Sequence, residues 1–224
     1  MSSNWAAEIG AVFRKELLSE SRSRSGFLTA MLFSIVAVVA VSFAGYGQVL
    51  SGSMGAGLFW VVMLFSSVVS LPRAFLAEEE QGTADMLKLL ARPHAIFWGK
   101  ALFNLVQMIL TGLMLSVLFL VLSGLEVRIG LLYAAGLVAG STALAGAVTL
   151  CGALVAQAAN RAALVGAIAL PLLLPLVALG VGTTRVALGE GLAAGGWQSA
   201  VGLVSYAVAV LAGGPHLFAA VWKS

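Results

Sequence analysis

Gly99 to Ser123 reads GKALFNLVQMILTGLMLSVLFLVLS, and after Lys100 no acidic or basic side chain follows until Glu126. A hydrocarbon core of ~30 Å takes roughly 20 apolar residues as helix, and only helices or closed barrels satisfy their backbone polar groups there. The stretch is too long for a barrel strand, so it predicts a transmembrane helix. Working outward, Phe27–Ala44, Gly55–Phe75, Gly130–Ala156, Ala162–Gly182 and Ser199–Trp222 have the same character. The expected fold class is all-α integral membrane: six transmembrane helices in a single domain, residues 1–224, with charges gathered in the short segments between spans.

Composition agrees. Hydrophobic residues make up 61% and charged residues 9%, against about a quarter charged in soluble domains. The longest charged interval, Arg73 to Lys100, is far below the roughly 100 residues of an autonomous domain. With six spans both termini share a side. Arg14, Lys15, Arg22, Arg24, Arg73, Lys88, Arg92, Lys100, Arg161 and Lys223 then face that side, and Arg128 and Arg185 the other. This bias makes the first side cytoplasmic. The net charge of +3 therefore follows from topology, and no basic face interleaved with aromatics suggests nucleic-acid binding. The polar residues before the first span do not read as a cleavable signal peptide. Cys151, the one cysteine, reads as a packing residue.

Two segments outside the spans have amphipathic spacing. Over residues 5–24, Trp5, Ile9, Val12, Phe13 and Leu17 form one apolar stripe, with Asn4 placed to cap the start and Glu8, Arg14, Lys15 and Glu16 on or beside the polar side; this predicts an interfacial helix, as a passive anchor or a relay of motion. After the second span, Glu78, Glu79 and Glu80 precede a turn at Gly82 and a short helix. Thr83 is placed to cap that helix and Pro93 to end it. Asp85, Lys88 and Arg92 share one face, and Met86 and Leu90 another. The three glutamates read either as a solvated run or as a docking and force-transmitting surface, which the neighbouring apolar face favours.

Within the spans, Pro171 and Pro175 lie one turn apart and predict a kink, as a hinge, the wall of a cavity or a static bend. Gly136, Gly140, Ser141, Thr142 and Gly146 offer a small-residue face for helix pairing or a dimer seam. Gly189–Gly196 reads as a flexible or re-entrant loop on the outer side.

No paired carboxylates, nucleophile with its base, or metal-ligand cluster is visible at membrane depth, where ionisable groups are usually functional. A non-catalytic chain without a metal or tightly held cofactor is expected. His94 and His216 lie far apart in sequence and read as surface residues, or each as a single axial ligand for haem iron. Gly99-Lys100 is followed by Ala101 and lacks the earlier glycine of a phosphate loop. ATP, if used, is bound by another subunit.

The order of parts resembles the ABC-2 type of ABC-transporter permease, and more closely the CcmB family, haem exporter protein B of bacterial cytochrome c maturation. The resemblance is carried by Gly57-Leu58-Phe59-Trp60 with Ser66-Ser67, Arg73-Ala74-Phe75, Gln81-Gly82-Thr83 through Leu89-Leu90 with Pro93, Gly99-Lys100, and Leu170-Pro171 to Pro175-Leu176. Pro72 departs from it, standing where relatives are expected to carry an acid. The resemblance implies a homodimeric permease in the bacterial inner membrane, surrounded by lipid. Its cytoplasmic face would bind CcmA-type ATPase subunits, with CcmC, CcmD and the haem chaperone CcmE as further partners. The helix 84–91 becomes a short cytoplasmic coupling helix, and haem becomes the cargo. Two alternatives stay open: a mechanical adaptor that releases the haem-loaded chaperone, and a permease for another apolar substrate.

Overall fold

The computed structural model describes residues 4–23, 25–44, 50–70, 75, 78, 82–156 and 161–222. These form α1 (Trp5–Ser23), α2 (Ser25–Ala44), α3 (Gly52–Ser70), α4 (Ala84–Leu90), α5 (Pro93–Ser123), α6 (Gly130–Ala156), α7 (Arg161–Ala187) and α8 (Ala193–Trp222). No strand occurs among the described residues. The segments Pro93–Ser123, Gly130–Val155 and Ala193–Trp222 are long and apolar enough to cross a bilayer. Gly52–Val68 and Pro171–Ala187 are apolar but shorter, and Trp5–Arg22 meets Phe27–Phe43 at 65°. Of the six expected spans, three therefore have full crossing length in the described residues.

The surface is inverted relative to a water-soluble protein. Leu32 and Val36 on α2, Val117 and Val121 on α5, and Val201 and Val208 on α8 are each more than 60% exposed. Ser34, Ser66, Thr111, Ser141, Thr149 and Thr183 are fully enclosed. Apolar residues outside and hydroxyls inside suit a lipid solvent, where polar groups bond between helices. Asn104 of α5 donates to the Thr149 hydroxyl of α6 at 2.8 Å, and Tyr133 of α6 to Ser116 of α5 at 2.9 Å.

α6 is the central helix: 83% of its apolar window is buried, against 39% for α5 and 33% for α8. Its small residues make this possible. A Cβ on Gly140 would stand 1.9 Å from Trp60 Cη2 of α3, and one on Gly136 2.7 Å from Thr183 Cγ2 of α7. Trp60 is fully buried and its indole N–H donates to Thr184 Oγ1 at 2.8 Å. Gly136 and Gly140 thus meet other helices of the same chain.

Pro171 and Pro175 both lie within the continuous helix α7, on its exposed side. Pro175 has no N–H for the carbonyl one turn before it. Beside this gap the Leu172 carbonyl accepts a hydrogen bond from the Tyr206 hydroxyl of α8, so a neighbouring helix bonds the backbone next to the proline.

The Gly189–Gly196 stretch differs from the expected loop. α8 begins at Ala193, so Gly195 and Gly196 are helical, and only Gly189 and Gly191 need left-handed backbone, at φ 100° and 109°. Gly196 is small because a Cβ there would stand 2.7 Å from Leu132 and 2.8 Å from Val186. Between the two left-handed glycines, Glu190 caps the start of α3. Its carboxylate accepts the Gly52 N–H at 2.5 Å, the Ser53 N–H at 2.7 Å and the Ser53 hydroxyl. A carboxylate at a helix N-terminus complements both the open N–H groups and the dipole. The Ser53 hydroxyl and N–H, then Gly52 and Arg185, hold its pKa below the ordinary 4.5 against partial desolvation. Because the folded value lies below the unfolded one, the latch contributes fully above about pH 4.5 and is lost as pH falls through the lower folded value. The expected result is faster hydrogen exchange at Gly52 and Ser53 in that acid range, with Glu190→Gln showing the fast rate already at neutral pH.

Candidate functional site

At the opposite end of the helices, α1 lies against the start of α5. Gly99 permits this: a Cβ there would stand 2.6 Å from Val12 Cβ and 3.1 Å from the Ile9 carbonyl oxygen. One turn beyond Val12 on the same face is Glu16, and beside Gly99 is Lys100. Both are buried, Lys100 completely. Lys100 Nζ lies 2.7 Å from Glu16 Oε1 and 3.0 Å from Glu78 Oε1. Lys15 lies 3.1 Å from Glu16 and closes the cluster on Glu78. Among the described residues, two ammonium groups and two carboxylates meet here and sum to zero charge, the condition under which buried ions are tolerated. Lys100 also stands 4.5 Å from the centroid of the Phe75 ring, a favourable cation–π position. Phe75 packs on Phe218 and Trp222 of α8, with ring centroids 5.7 and 6.4 Å away.

Burial acts to lower the Lys15 pKa, but Glu16 and Glu78 outweigh it and the net shift is upward. The ammonium form of Lys15 is therefore firmly held in the cluster.

The side of α1 turned to α5 carries Glu8, Val12 and Glu16, spaced one turn apart; of the expected apolar stripe, Val12 lies on this buried side while Trp5 and Leu17 are exposed. Glu16 was expected on or beside the polar side. It is buried because Lys100 meets it, and paired charge can take an inward position that an unpaired acid could not.

The cluster holds one end of the segment that carries α4, and Glu8 holds the other. Glu78 accepts Lys15 and Lys100 through its side chain and the Thr83 N–H through its carbonyl, at 2.9 Å. Beyond α4, the Arg92 N–H donates to Glu8 Oε2 at 3.3 Å and Arg92 Nε lies 3.7 Å from Glu8 Oε1. Glu8 and Lys15 are seven residues apart on α1, two turns or about 10 Å, and the seven residues of α4 rise about as far. α1 thus braces the segment at anchor points matched to the length of the helix between them. α4 itself exposes Met86, Leu89 and Leu90, at 63%, 88% and 70%.

Gly82 makes the expected turn, with φ 66°. Thr83 stands at the N-cap position but its hydroxyl makes no capping bond; it donates to the Glu78 carbonyl at 3.4 Å. The reason is its backbone, which is already helical at φ −93°, ψ −6°, whereas a capping side chain needs extended geometry. Ala91 and Arg92 are extended, as the residue before Pro93 should be, and Pro93 then starts α5. Asp85 lies within α4. Glu79 and Glu80 lie outside the described residues. Glu78 was expected with them on a surface, but it is buried because Lys15 and Lys100 draw it inward. Sequence reasoning missed Lys100 and Glu16; the available signal was an ionisable residue just inside a span, a position that is usually functional.

Pro171 and Pro175 belong to a different part of the molecule. A shallow groove between α5, α6 and α8 is lined by Trp98, Leu102, Leu105, Thr142 and Leu211 among others, and neither proline reaches it. His94 and His216, read separately in the sequence, are neighbours, with ring centroids 5.2 Å apart.

Long apolar helices with an inverted surface, joined by a charged loop whose short helix is flanked by ion pairs to α1, define a multi-pass α-helical membrane protein. Residues 7–223 match the family described as CcmB protein. The chain belongs to that family. It is also similar to the heme exporter protein B of Bradyrhizobium diazoefficiens, with 29% identity over 182 residues, covering 79% of this chain and 81% of that protein.

Proposed function

We propose that this chain is the membrane permease subunit of an ABC transporter complex for cytochrome c maturation, and that it couples ATP hydrolysis by a separate subunit to haem export. The observation that carries this reading is α4: it presents three exposed apolar side chains while both flanks of its segment are anchored to α1 by charge. A partner pushing on Met86, Leu89 and Leu90 moves α1 and the start of α5 together, because the Glu16–Lys100–Glu78 cluster ties them. Family membership and the name of the relative support haem as cargo. The charge bias supports an inner-membrane protein with six spans and both termini in the cytoplasm. The partners are CcmA-type ATPase subunits at α4, together with CcmC-, CcmD- and CcmE-type proteins, and the permease works as a homodimer.

Replacing Met86 and Leu90 together with aspartate is the direct test. The variant should insert and fold as the parent does, fail to co-purify with the ATPase from mild detergent, and lose ATP-driven haem uptake into sealed inverted vesicles. Undiminished co-purification would remove α4 from the coupling surface. Intact association with ATP hydrolysis but no haem movement in the parent complex would replace haem export by chaperone release.

A further inference from the structure

We propose that His94 and His216 form a binding site for a divalent transition-metal ion of the zinc, nickel and copper class, bridging α5 and α8. The two helices approach closely here. A Cβ on Gly214 of α8 would stand 2.5 Å from Phe97 Cζ of α5. His94 is one turn before Phe97 and His216 two residues after Gly214, so this contact brings the two positions together. Their centroids are 5.2 Å apart and their planes cross at 79°.

That separation, also within the range of an ordinary edge-to-face ring contact, leaves room for a shared ion. With metal–nitrogen bonds of about 2.0–2.1 Å and about 1.1 Å from ring nitrogen to centroid, each centroid lies about 3.2 Å from the metal; at a tetrahedral angle two such rings are about 5.2 Å apart. Two imidazoles on opposite faces of one haem would stand about 6.4 Å apart by the same arithmetic, so the pair does not fit a porphyrin between its rings. Imidazole nitrogen suits zinc, nickel and copper and is a poor donor for magnesium or calcium. His94 is half-buried and His216 exposed, which leaves an entry path. Among the described residues no group of three or more His, Cys, Asp and Glu converges, so water completes the coordination and the affinity is that of a two-ligand site. A bound ion clasps the first turn of α5, immediately after the segment braced by Glu8, to α8.

The test uses the full chain, without a polyhistidine tag, in mild detergent. Titration with zinc chloride should show one ion per chain, and His94→Ala and His216→Ala should each weaken it at least tenfold; cobalt should give the intense visible absorption of a tetrahedral complex in the parent alone. Equal zinc affinity in the parent and the double variant overturns the site. A second measurement needs no variant: zinc should protect both histidines from diethylpyrocarbonate, read by mass spectrometry, and unchanged modification of either one overturns the bridge.

Discussion

Replacing Lys100 with methionine is expected to cost about 3–5 kcal/mol of folding stability, the range for removing one member of a buried ion pair. Methionine fills a similar volume, so little of the loss comes from a cavity. The cost arises from Glu16 and Glu78, two buried carboxylates that lose their shared counter-ion and, among the described residues, keep Lys15 between them. Among the described residues Glu78 Oε2 already lacks a hydrogen-bond partner, so Glu78 has the least to compensate with. The direction of rescue follows: adding Glu78→Gln to Lys100→Met should recover part of the loss, because a neutral amide needs no counter-charge. Thermal unfolding of the three proteins in one detergent measures this. A Lys100→Met change of under about 1 kcal/mol, typical of exposed pairs, would show that the cluster does not bear on stability.

The same variant tests the brace. With Lys100 gone, Lys15 is the counter-ion left to Glu78 among the described residues, and the ion pair that ties the segment leading into α4 to α5 is lost. Hydrogen exchange should rise at Thr83, whose N–H bonds to the Glu78 carbonyl, and at the first turn of α4. Exchange around Glu190, at the far end of the molecule, should stay unchanged.

Sequence periodicity made most of the fold legible because spans in lipid are written in long apolar runs. It also placed the turn at Gly82 and the break before Pro93, since both depend on local backbone geometry. What it left open needs two segments at once. Glu16 reads as a polar-face residue until Lys100 is placed opposite it, and Lys100 reads as a topology-setting charge until Gly99 brings α1 against it. His94 and His216 have no periodic relation, and the packing of α5 on α8, at Phe97 against Gly214 and Phe218, makes them a pair. The family resemblance marked Trp60 and Gly99-Lys100 without a physical reason for either; the reason for Gly99 is the close packing of α1.

Trp60 supplies the second large effect, and its cause is shape. The indole is held between Gly140 of α6 and Gly180 of α7, where added Cβ atoms would stand 1.9 and 2.4 Å from the ring. Neither contact is with the far end of a flexible side chain, and a ring gripped from both sides cannot swing away from one methyl without striking the other helix. Its N–H bond to Thr184 would break as well. Gly140→Ala is therefore expected to cost about 3 kcal/mol, the upper part of the usual range for overpacking, even though alanine favours helix over glycine by up to about 1 kcal/mol. Gly57→Ala is the internal control. It lies on α3 with Trp60 but meets nothing within 4 Å, so only the propensity gain operates and stability should hold or rise slightly. Combining Gly140→Ala with Trp60→Phe should return part of the loss, because the smaller ring vacates the space the methyl needs. Equal unfolding temperatures for Gly140→Ala and Gly57→Ala would mean that α3, α6 and α7 can separate at this point at no cost, and the slot would then not be what holds α3 to the central helix.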